Sequence, residues 1–260
     1  MANVAPTTCH RPRAGFTLVE LLVVMSIIVL LVTLMVPSLN AFMDRGRATH
    51  TRTLLGAIES GLELYRGESA LGRDYPPSQY EIDNTGNRSD PQAAYGAETL
   101  MWALAGPTLQ GTTGIPPPDP ATNPPHYGPF IDISRATIRV PPAYSGTQWA
   151  ILDDFDMPIL YFLPDPAQPP LYRYRLQDNY VYLRENIDPL YQANPASSPA
   201  TPPIDPFRVY IEDPRIDTLS GGTGTAWGPH NSDRFILISA GPDRMYGTQD
   251  DICNFPFNLP

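Results

Sequence analysis

The sequence contains no lysine and only two cysteines, Cys9 and Cys253. Two cysteines are too few for a disulfide framework or a Cys-rich zinc site. All 17 basic residues are arginines, and they are outnumbered by 27 acidic residues, which gives a formal net charge of −10. An acidic chain repels phosphate backbones, so we expect no nucleic-acid partner.

The sequence also lacks the common signatures of catalysis. It has no HExxH or GxSxG motif and no glycine-rich phosphate loop. Its four histidines, His10, His50, His126 and His230, lie far apart in the chain. Asp153 and Asp154 are adjacent acids, but their position before a strand-like run is typical of a turn. The sequence therefore predicts a protein that is not an enzyme.

Proline and glycine are abundant, with 32 and 19 residues among 260, about one residue in five. This content excludes a helical bundle throughout, because proline breaks helices and glycine weakens them. The chain is also too apolar, at 42% hydrophobic residues and 17% charged residues, to be wholly disordered. A mixed fold with long irregular segments follows.

One long apolar run stands near the N-terminus. It covers 16–36 and carries a single charge, Glu20. As a helix it is about 30 Å long, which matches the hydrocarbon core of a bilayer. Arg11 and Arg13 precede it, so the positive-inside rule places the N-terminus in the cytoplasm and the chain after Pro37 outside.

Three interpretations of this run compete. A secretory signal peptide would have a shorter apolar region followed by a small-residue cleavage site. A plain single-span anchor fits the length but leaves Glu20 unexplained, since a carboxylate in lipid costs about 3 kcal/mol or more. The third interpretation depends on the letters around the start of the run.

Those letters, Arg13-Ala14-Gly15-Phe16-Thr17-Leu18-Val19-Glu20, resemble the processing signal of type IV pilins and type II secretion pseudopilins. The resemblance implies that a prepilin peptidase removes residues 1–15 after Gly15 and that the new N-terminal Phe16 is methylated. It also implies a transmembrane and assembly helix over 16–37, in which Pro37 bends the helix. Glu20 then pairs with the Phe16 amine of a neighbouring subunit and fixes the axial register.

Residues 38–67 continue as an amphipathic second half of the same helix. Apolar residues recur every three or four positions and polar residues flank them, as on a helix with one buried face. We expect one helix over about 17–66 that ends near Gly67. The predicted buried stripe consists of Leu54, Leu55, Ile58, Leu62 and Tyr65.

Residues 68–260 form the predicted globular domain, which begins with a Tyr75-Pro76-Pro77 element. A short helix is expected over 97–105, and the Pro-rich segments 106–148, 185–206 and 218–231 are expected to be irregular. The fold class is α+β: a long N-terminal helix packed on a small antiparallel sheet, as in the pilin fold. Predicted strands are 158–163, 171–176, 179–183, 207–212 and 234–239.

An acidic loop over 238–252 is the second strong signal. It resembles the calcium site of major pseudopilins, in which an Asp after Ser-x-Gly-x is followed seven and eight residues later by two adjacent Asp. The resemblance assigns Ca²⁺ as a structural cofactor held by Asp243, Asp250 and Asp251, with Ala240 and Ser239 completing the shell. Arg244 departs from the glycine usual after the first Asp. The alternative is a turn-rich loop with solvated carboxylates.

Together these features predict a structural subunit of a type II secretion pseudopilus. It is expected in the bacterial inner membrane, with one span and a periplasmic C-terminal domain, and in an envelope filament after assembly. Expected partners are the prepilin peptidase, other pilin or pseudopilin subunits, the inner-membrane assembly platform and membrane lipid. The alternatives are a minor or tip pilin of a type IV pilus and a membrane-anchored surface binding module.

Overall fold

The structure is a computed structural model that describes residues 17–83, 87–88, 93–115, 124–141, 148–167, 173–186, 211 and 228–256. The chain divides into two compact units, Met1–Arg45 and Gly46–Pro260.

Helix α1, Leu18–Gly67, contains 50 residues and confirms the long N-terminal helix. Within the first unit its apolar side chains are exposed, Leu18 by 80% and Leu34 by 68%. The segment Leu18–Val36 has a mean hydropathy of 2.9 and no buried residue. Among the described residues it is the one helical segment that is long and apolar enough to cross a membrane, judged by length and composition.

In the second unit, α1 buries one face. The side chains of the predicted stripe, Leu54, Leu55, Ile58, Leu62 and Tyr65, are all buried, which confirms the prediction. Their spacing of three and four residues places them on one side of the helix. Gly61 lies so close to the carbonyl oxygen of Phe130 that an added Cβ would be only 2.7 Å from it.

Helix α2, Gly96–Leu104, matches the predicted second helix within one residue and is buried along its whole length. Its first residue must be glycine, because an added Cβ would collide with the carbonyl oxygen of Tyr161. The side chain of Asn179 caps the same end by accepting a hydrogen bond from the backbone N–H of Ala97 at 3.0 Å. The helix is therefore fixed at its start by both packing and capping.

In the part of the chain that the structure describes, five short strands form two antiparallel sheets, in the orders β1-β2 and β3-β4-β5. Ile138 pairs with Ile151 in the first sheet, and Tyr161 pairs with Leu237 in the second. A hydrogen bond from Ile159 N–H to the carbonyl oxygen of Ile151 joins the end of β2 to the approach to β3. The strands are β1 Thr137–Arg139, β2 Ala150–Leu152, β3 Leu160–Phe162, β4 Ile236–Ser239 and β5 Ile252–Cys253.

The second sheet is buried on both faces, because alternate side chains point to opposite sides. Tyr161 and Leu237 belong to a cluster that includes the buried stripe of α1 and much of α2. Leu160 and Ile238 belong to a second cluster that includes Tyr182 and Leu183. This arrangement places the C-terminal hairpin β4–β5, and the loop between its strands, against the core.

The α+β fold class is confirmed, but the strand prediction over 179–183 is wrong. That segment lies in helix α3, Tyr180–Asn186, which follows a 3-10 turn at Leu176–Asn179. The buried residues Leu176, Asn179, Tyr182 and Leu183 follow helical spacing. The β propensity of the tyrosines and valine was therefore outweighed by tertiary packing.

The remaining strand predictions have mixed outcomes. Strands β3 and β4 lie inside the predicted runs 158–163 and 234–239. The described residues 173–176 are not a strand, and 207–212 lies outside the described residues except for residue 211. Strand β1 lies inside the segment 106–148, which was expected to be irregular. The prediction missed this strand because its three residues form a strand by pairing with the distant β2.

Candidate functional site

The first turn of α1 carries Glu20, the charge within the apolar segment. The backbone N–H and the hydroxyl of Thr17 both donate to Glu20 Oε2, at 2.9 and 2.8 Å. In return, the N–H of Glu20 donates to Thr17 Oγ1 at 3.2 Å. This reciprocal pair is the arrangement of a capping box, and it satisfies donors that the helix start leaves without partners. Sequence reasoning missed the role of Thr17, although Thr-x-x-Glu is a recognisable capping pattern.

Of the other predicted processing and assembly residues, the structure describes the backbone at Pro37. Gly15 and Phe16 lie outside the described residues. The helical backbone of α1 runs through position 37, where Pro37 stands. Since proline has no N–H, this position donates no hydrogen bond to the helix.

The acidic loop connects β4 to β5 and is held by hydrogen bonds to its own carboxylates. Asp250 accepts from the backbone N–H of Asp243 at 3.0 Å and from the Thr248 hydroxyl at 2.5 Å. Asp251 accepts from the backbone N–H of Gly247 at 2.8 Å. Asp243 in turn accepts from the N–H of Met245 at 2.8 Å. The loop therefore brings Asp243 and Asp250 together and directs Asp251 to the adjacent turn.

The chemistry of this loop suits a hard cation. The atoms that could ligate a metal are carboxylate oxygens, which Ca²⁺ prefers as ligands. Partial burial raises the pKa of the Asp243 carboxyl above its usual value, and the nearby Asp250 charge adds to the increase. A bound cation would relieve that repulsion. Within the described part of the chain, however, no group of three or more His, Cys, Asp or Glu side chains is arranged to hold a metal ion.

The backbone of the loop adopts the left-handed conformation at Gly241 and Arg244, with φ of 65° and 62°. At Gly241 a side chain would collide with the carbonyl oxygen of Asp250, so glycine is required there. Arg244 adopts the positive φ although it is not glycine, which costs about 1–2 kcal/mol. The turn thus forms at the position where the sequence departs from the pseudopilin pattern.

The two further predicted ligands lie at the end of β4. Ala240 and Ser239 are fully buried. The Ser239 hydroxyl donates to Asp153 Oδ2 at 2.6 Å and accepts a longer contact of 3.4 Å from the N–H of Gly241. Ser239 therefore binds a carboxylate outside the loop, a contact that sequence reasoning did not foresee.

Asp153 and Asp154 occupy the turn that the sequence predicted for them. Asp153 Oδ1 accepts from the N–H groups of Phe155 and Met157, at 2.8 and 2.9 Å, which closes the turn. Burial raises the pKa of the Asp153 carboxyl, while the Ser239 hydrogen bond opposes that rise. Asp154 instead contacts helix α1, where its Oδ2 lies 2.7 Å from His50 Nδ1.

Comparison with known families locates the strongest similarity at the N-terminus. A family model described as the prokaryotic N-terminal methylation motif matches residues 10–36. Neither the curated proteins nor the solved structures contain a significant match to the chain. The match includes the apolar first part of α1, and the motif indicates a type IV pilin-like protein that is processed from a prepilin. Proteins with this motif are structural subunits, and the motif implies processing by a prepilin peptidase and assembly with pilin subunits.

Proposed function

We propose that this type IV pilin-like chain is a structural subunit of a type II secretion pseudopilus, anchored in the inner membrane until it is assembled. The observation that carries the proposal is the match to the methylation motif over residues 10–36, which includes the exposed apolar segment Leu18–Val36. Cleavage on the cytoplasmic side of this segment retains the span and creates a free amine at Phe16. An exposed apolar helix of this length is stable in lipid or among copies of itself.

The acidic loop favours a pseudopilus over a type IV pilus. We assign the loop a structural Ca²⁺ held by Asp243, Asp250 and Asp251, with Ala240 and Ser239 near the end of β4. The shared hydrogen bonds and the raised pKa of Asp243 support a cation that offsets like charges. Because such a site forms only in the folded chain, binding would stabilise the loop against the sheet.

A minor or tip pilin is the second candidate. The length of the Pro-rich sequence between α2 and β4 favours this role, because a large domain is easier to place at a filament end than within its packed body. The ratio of this chain to other subunits in isolated filaments distinguishes the two roles, since a tip subunit is present in far fewer copies.

Processing provides the direct test of the proposed function. In cells that contain a prepilin peptidase, we expect the mature chain to begin with N-methylated Phe16. Gly15→Leu should abolish cleavage, because a bulky side chain replaces glycine at the scissile bond. N-terminal sequencing and mass spectrometry measure both outcomes, with Ala14→Leu as the control beside the bond. An intact Met1 in the wild-type protein would support the plain-anchor or binding-module alternative instead.

Calcium binding is tested by thermal unfolding of the full chain in detergent micelles. Millimolar Ca²⁺ should raise the melting temperature relative to chelator. At a Ca²⁺ concentration 100 times Kd, the free energy of unfolding should increase by about 2.7 kcal/mol. Asp250→Ala should remove the increase, because Asp250 is the carboxylate that contacts Asp243. Asp132→Ala is the matched control, since Asp132 is an exposed aspartate that bonds Ser134 outside the loop. A melting temperature that is the same with Ca²⁺ and with chelator would refute the assignment.

A further inference from the structure

A buried acid, Asp178, lies in the 3-10 turn Leu176–Asn179, which we call the junction turn. Asp178 is only 2% exposed, and its Oδ2 accepts a hydrogen bond from the Ser78 hydroxyl. Its Oδ1 is buried and, within the described part of the chain, accepts no hydrogen bond. The Arg175 guanidinium lies nearby, but its Nε is 3.9 Å from Oδ1, which is beyond hydrogen-bond distance. A single hydroxyl therefore donates to this carboxyl.

Two other buried acids have more donors. Glu98, the one charged residue of α2, accepts four hydrogen bonds through its carboxylate. Asp153 accepts three. An ionised carboxylate offers about four acceptor sites, and burying it without partners costs far more free energy than burying the neutral acid. The surroundings of Asp178 therefore suit a neutral carboxyl, whereas those of Glu98 and Asp153 supply donors for a charge.

The junction turn connects three parts of the fold. Through Asp178 it binds Ser78, in the segment that follows α1. Through Asn179 it binds helix α2 and strand β3. Asn179 Oδ1 accepts from the N–H of Ala97 at 3.0 Å, and its Nδ2 donates to the carbonyl oxygen of Tyr161 at 2.8 Å. A change in the charge of Asp178 therefore acts where these three segments meet.

The electrostatics of the described surroundings agree with the low number of donors. Burial raises the pKa of the Asp178 carboxyl to about 7. The Ser78 hydrogen bond and the Arg175 charge oppose this rise in pKa, whereas the charge of Asp165, which follows β3, adds to it. The buried phenol of Tyr161 also faces the carboxyl, and its own pKa is raised well above the usual value, so the phenol stays neutral.

The raised pKa makes the contribution of Asp178 to stability depend on pH. In the unfolded chain an aspartate ionises near about pH 4, so between about pH 4 and 7 the folded chain keeps a proton that the unfolded chain has lost. The stability that the neutral carboxyl contributes is fully present below about pH 4 and is lost as the pH rises through about 7. Once ionised, the carboxylate gains hydration when the turn opens to water.

We propose that Asp178 is a pH-sensitive switch: its neutral carboxyl keeps the junction turn closed on Ser78 and α2, and its ionisation favours a local opening that exposes the carboxylate to water. Acid favours the closed form, and a pH above neutral favours the open form. The residues involved lie outside the acidic loop, so the proposal depends neither on the calcium assignment nor on the type of filament. It gives the globular part of the chain a stability that follows the pH of its surroundings.

The test is urea unfolding of the full chain in detergent micelles at pH 5 and pH 8, followed by the fluorescence of tryptophans that include the buried Trp102 of α2. Asp178→Asn keeps the shape of the side chain and removes the ionisable group. The ratio of its folding equilibrium constant to that of the wild type should rise on the order of 100-fold from pH 5 to pH 8, because only the wild type ionises at this position. A ratio that stays constant would overturn the proposal.

Asp132→Asn is the matched control. Asp132 is exposed, and hydrogen bonds from Ser134 lower the pKa of its carboxyl. It is therefore ionised in both the folded and the unfolded chain from pH 5 to pH 8, and the corresponding ratio should not change. A rise equal to that of Asp178→Asn would show that the pH dependence does not come from Asp178.

Amide hydrogen exchange of the wild-type chain gives a second measurement that needs no variant. After correction for the intrinsic pH dependence of exchange, protection of the junction turn and of the first turn of α2 should be at least about tenfold lower at pH 8 than at pH 5. Equal protection at the two pH values would exclude the local opening.

Discussion

Replacing Glu20 with leucine should leave membrane insertion intact and reduce filament assembly at least tenfold. Both Thr17 donors reach Oε2 of Glu20, and among the described residues Oε1 accepts no hydrogen bond. We expect Oε1 to receive the Phe16 amine of a neighbouring subunit, since pairing offsets the cost of a charge in an apolar surrounding. A contact of about 1.4 kcal/mol already changes an association constant tenfold.

Assembly is measured as the fraction of the mature chain in sheared or sedimented filaments, and insertion as its fraction in membranes. Ser26→Leu is the matched control, because it also replaces a polar residue of the span by leucine. The Ser26 hydroxyl donates to the carbonyl oxygen of Val23 in the same helix, so we expect normal assembly of this variant. Normal filaments from Glu20→Leu would contradict the role of the carboxylate.

Replacing Glu98 with alanine should lower the stability of the second unit, Gly46–Pro260, by about 3–5 kcal/mol, because a buried ion pair loses one partner. Glu98 is fully buried in α2. Its Oε1 accepts from Arg88 Nη2 at 2.5 Å, from the N–H of Gln148 at 2.7 Å and from the Tyr182 hydroxyl at 3.2 Å. Its Oε2 accepts from the N–H of Tyr95 at 2.9 Å, so one carboxylate joins α2 to three other parts of the chain.

The electrostatics of this site explain the size of the effect. Burial raises the pKa of the Glu98 carboxyl, while Arg88 and the hydrogen bonds to the carboxylate oppose the rise. In Glu98→Ala, a largely buried guanidinium and two backbone N–H groups lose their acceptor, and each buried donor without a partner costs about 1–3 kcal/mol. Glu98→Gln keeps the shape but places an amide donor against other donors, so it should also destabilise.

Thermal unfolding of the full chain, followed by circular dichroism in detergent, measures this loss. For Glu98→Ala we expect a decrease of the melting temperature of about 10 °C. Glu63→Ala is the control, because Glu63 also pairs with an arginine, Arg234, but both side chains are about half exposed. An exposed pair contributes about 0–1 kcal/mol. Equal decreases of the melting temperature in the two variants would show that the buried network around Glu98 contributes no more stability than the exposed pair.

The local features of this protein were predictable because they depend on short-range patterns. The apolar segment, the continuation of α1 to Gly67, its buried stripe and helix α2 all follow from periodicity within a single helix. The strands β3 and β4 were found because their apolar, β-branched and aromatic runs are bounded by turn residues. The acidic loop was also visible in the sequence, because three aspartates are concentrated around a glycine-containing turn directly after the strand run 234–239.

Features that depend on distant partners were not predictable. Strand β1 has three residues and is defined by pairing with β2, while α3 is a helix although its residues favour strands. The role of Glu98 depends on residues 88, 148 and 182, which lie 10, 50 and 84 positions from it in sequence. The contact between Ser239 and Asp153 joins residues 86 positions apart.

The sequence by itself determined the processing signal, the apolar segment and the long helix, because cleavage motifs and helical periodicity involve residues within a few positions of one another. Only the tertiary structure decided which carboxylates are buried, which donors satisfy them and how the turn at residues 153–158 contacts both the acidic loop and α1. The physical reason is that burial and hydrogen-bond pairing of a side chain are set by whichever distant segments pack beside it, and a single sequence does not specify those neighbours.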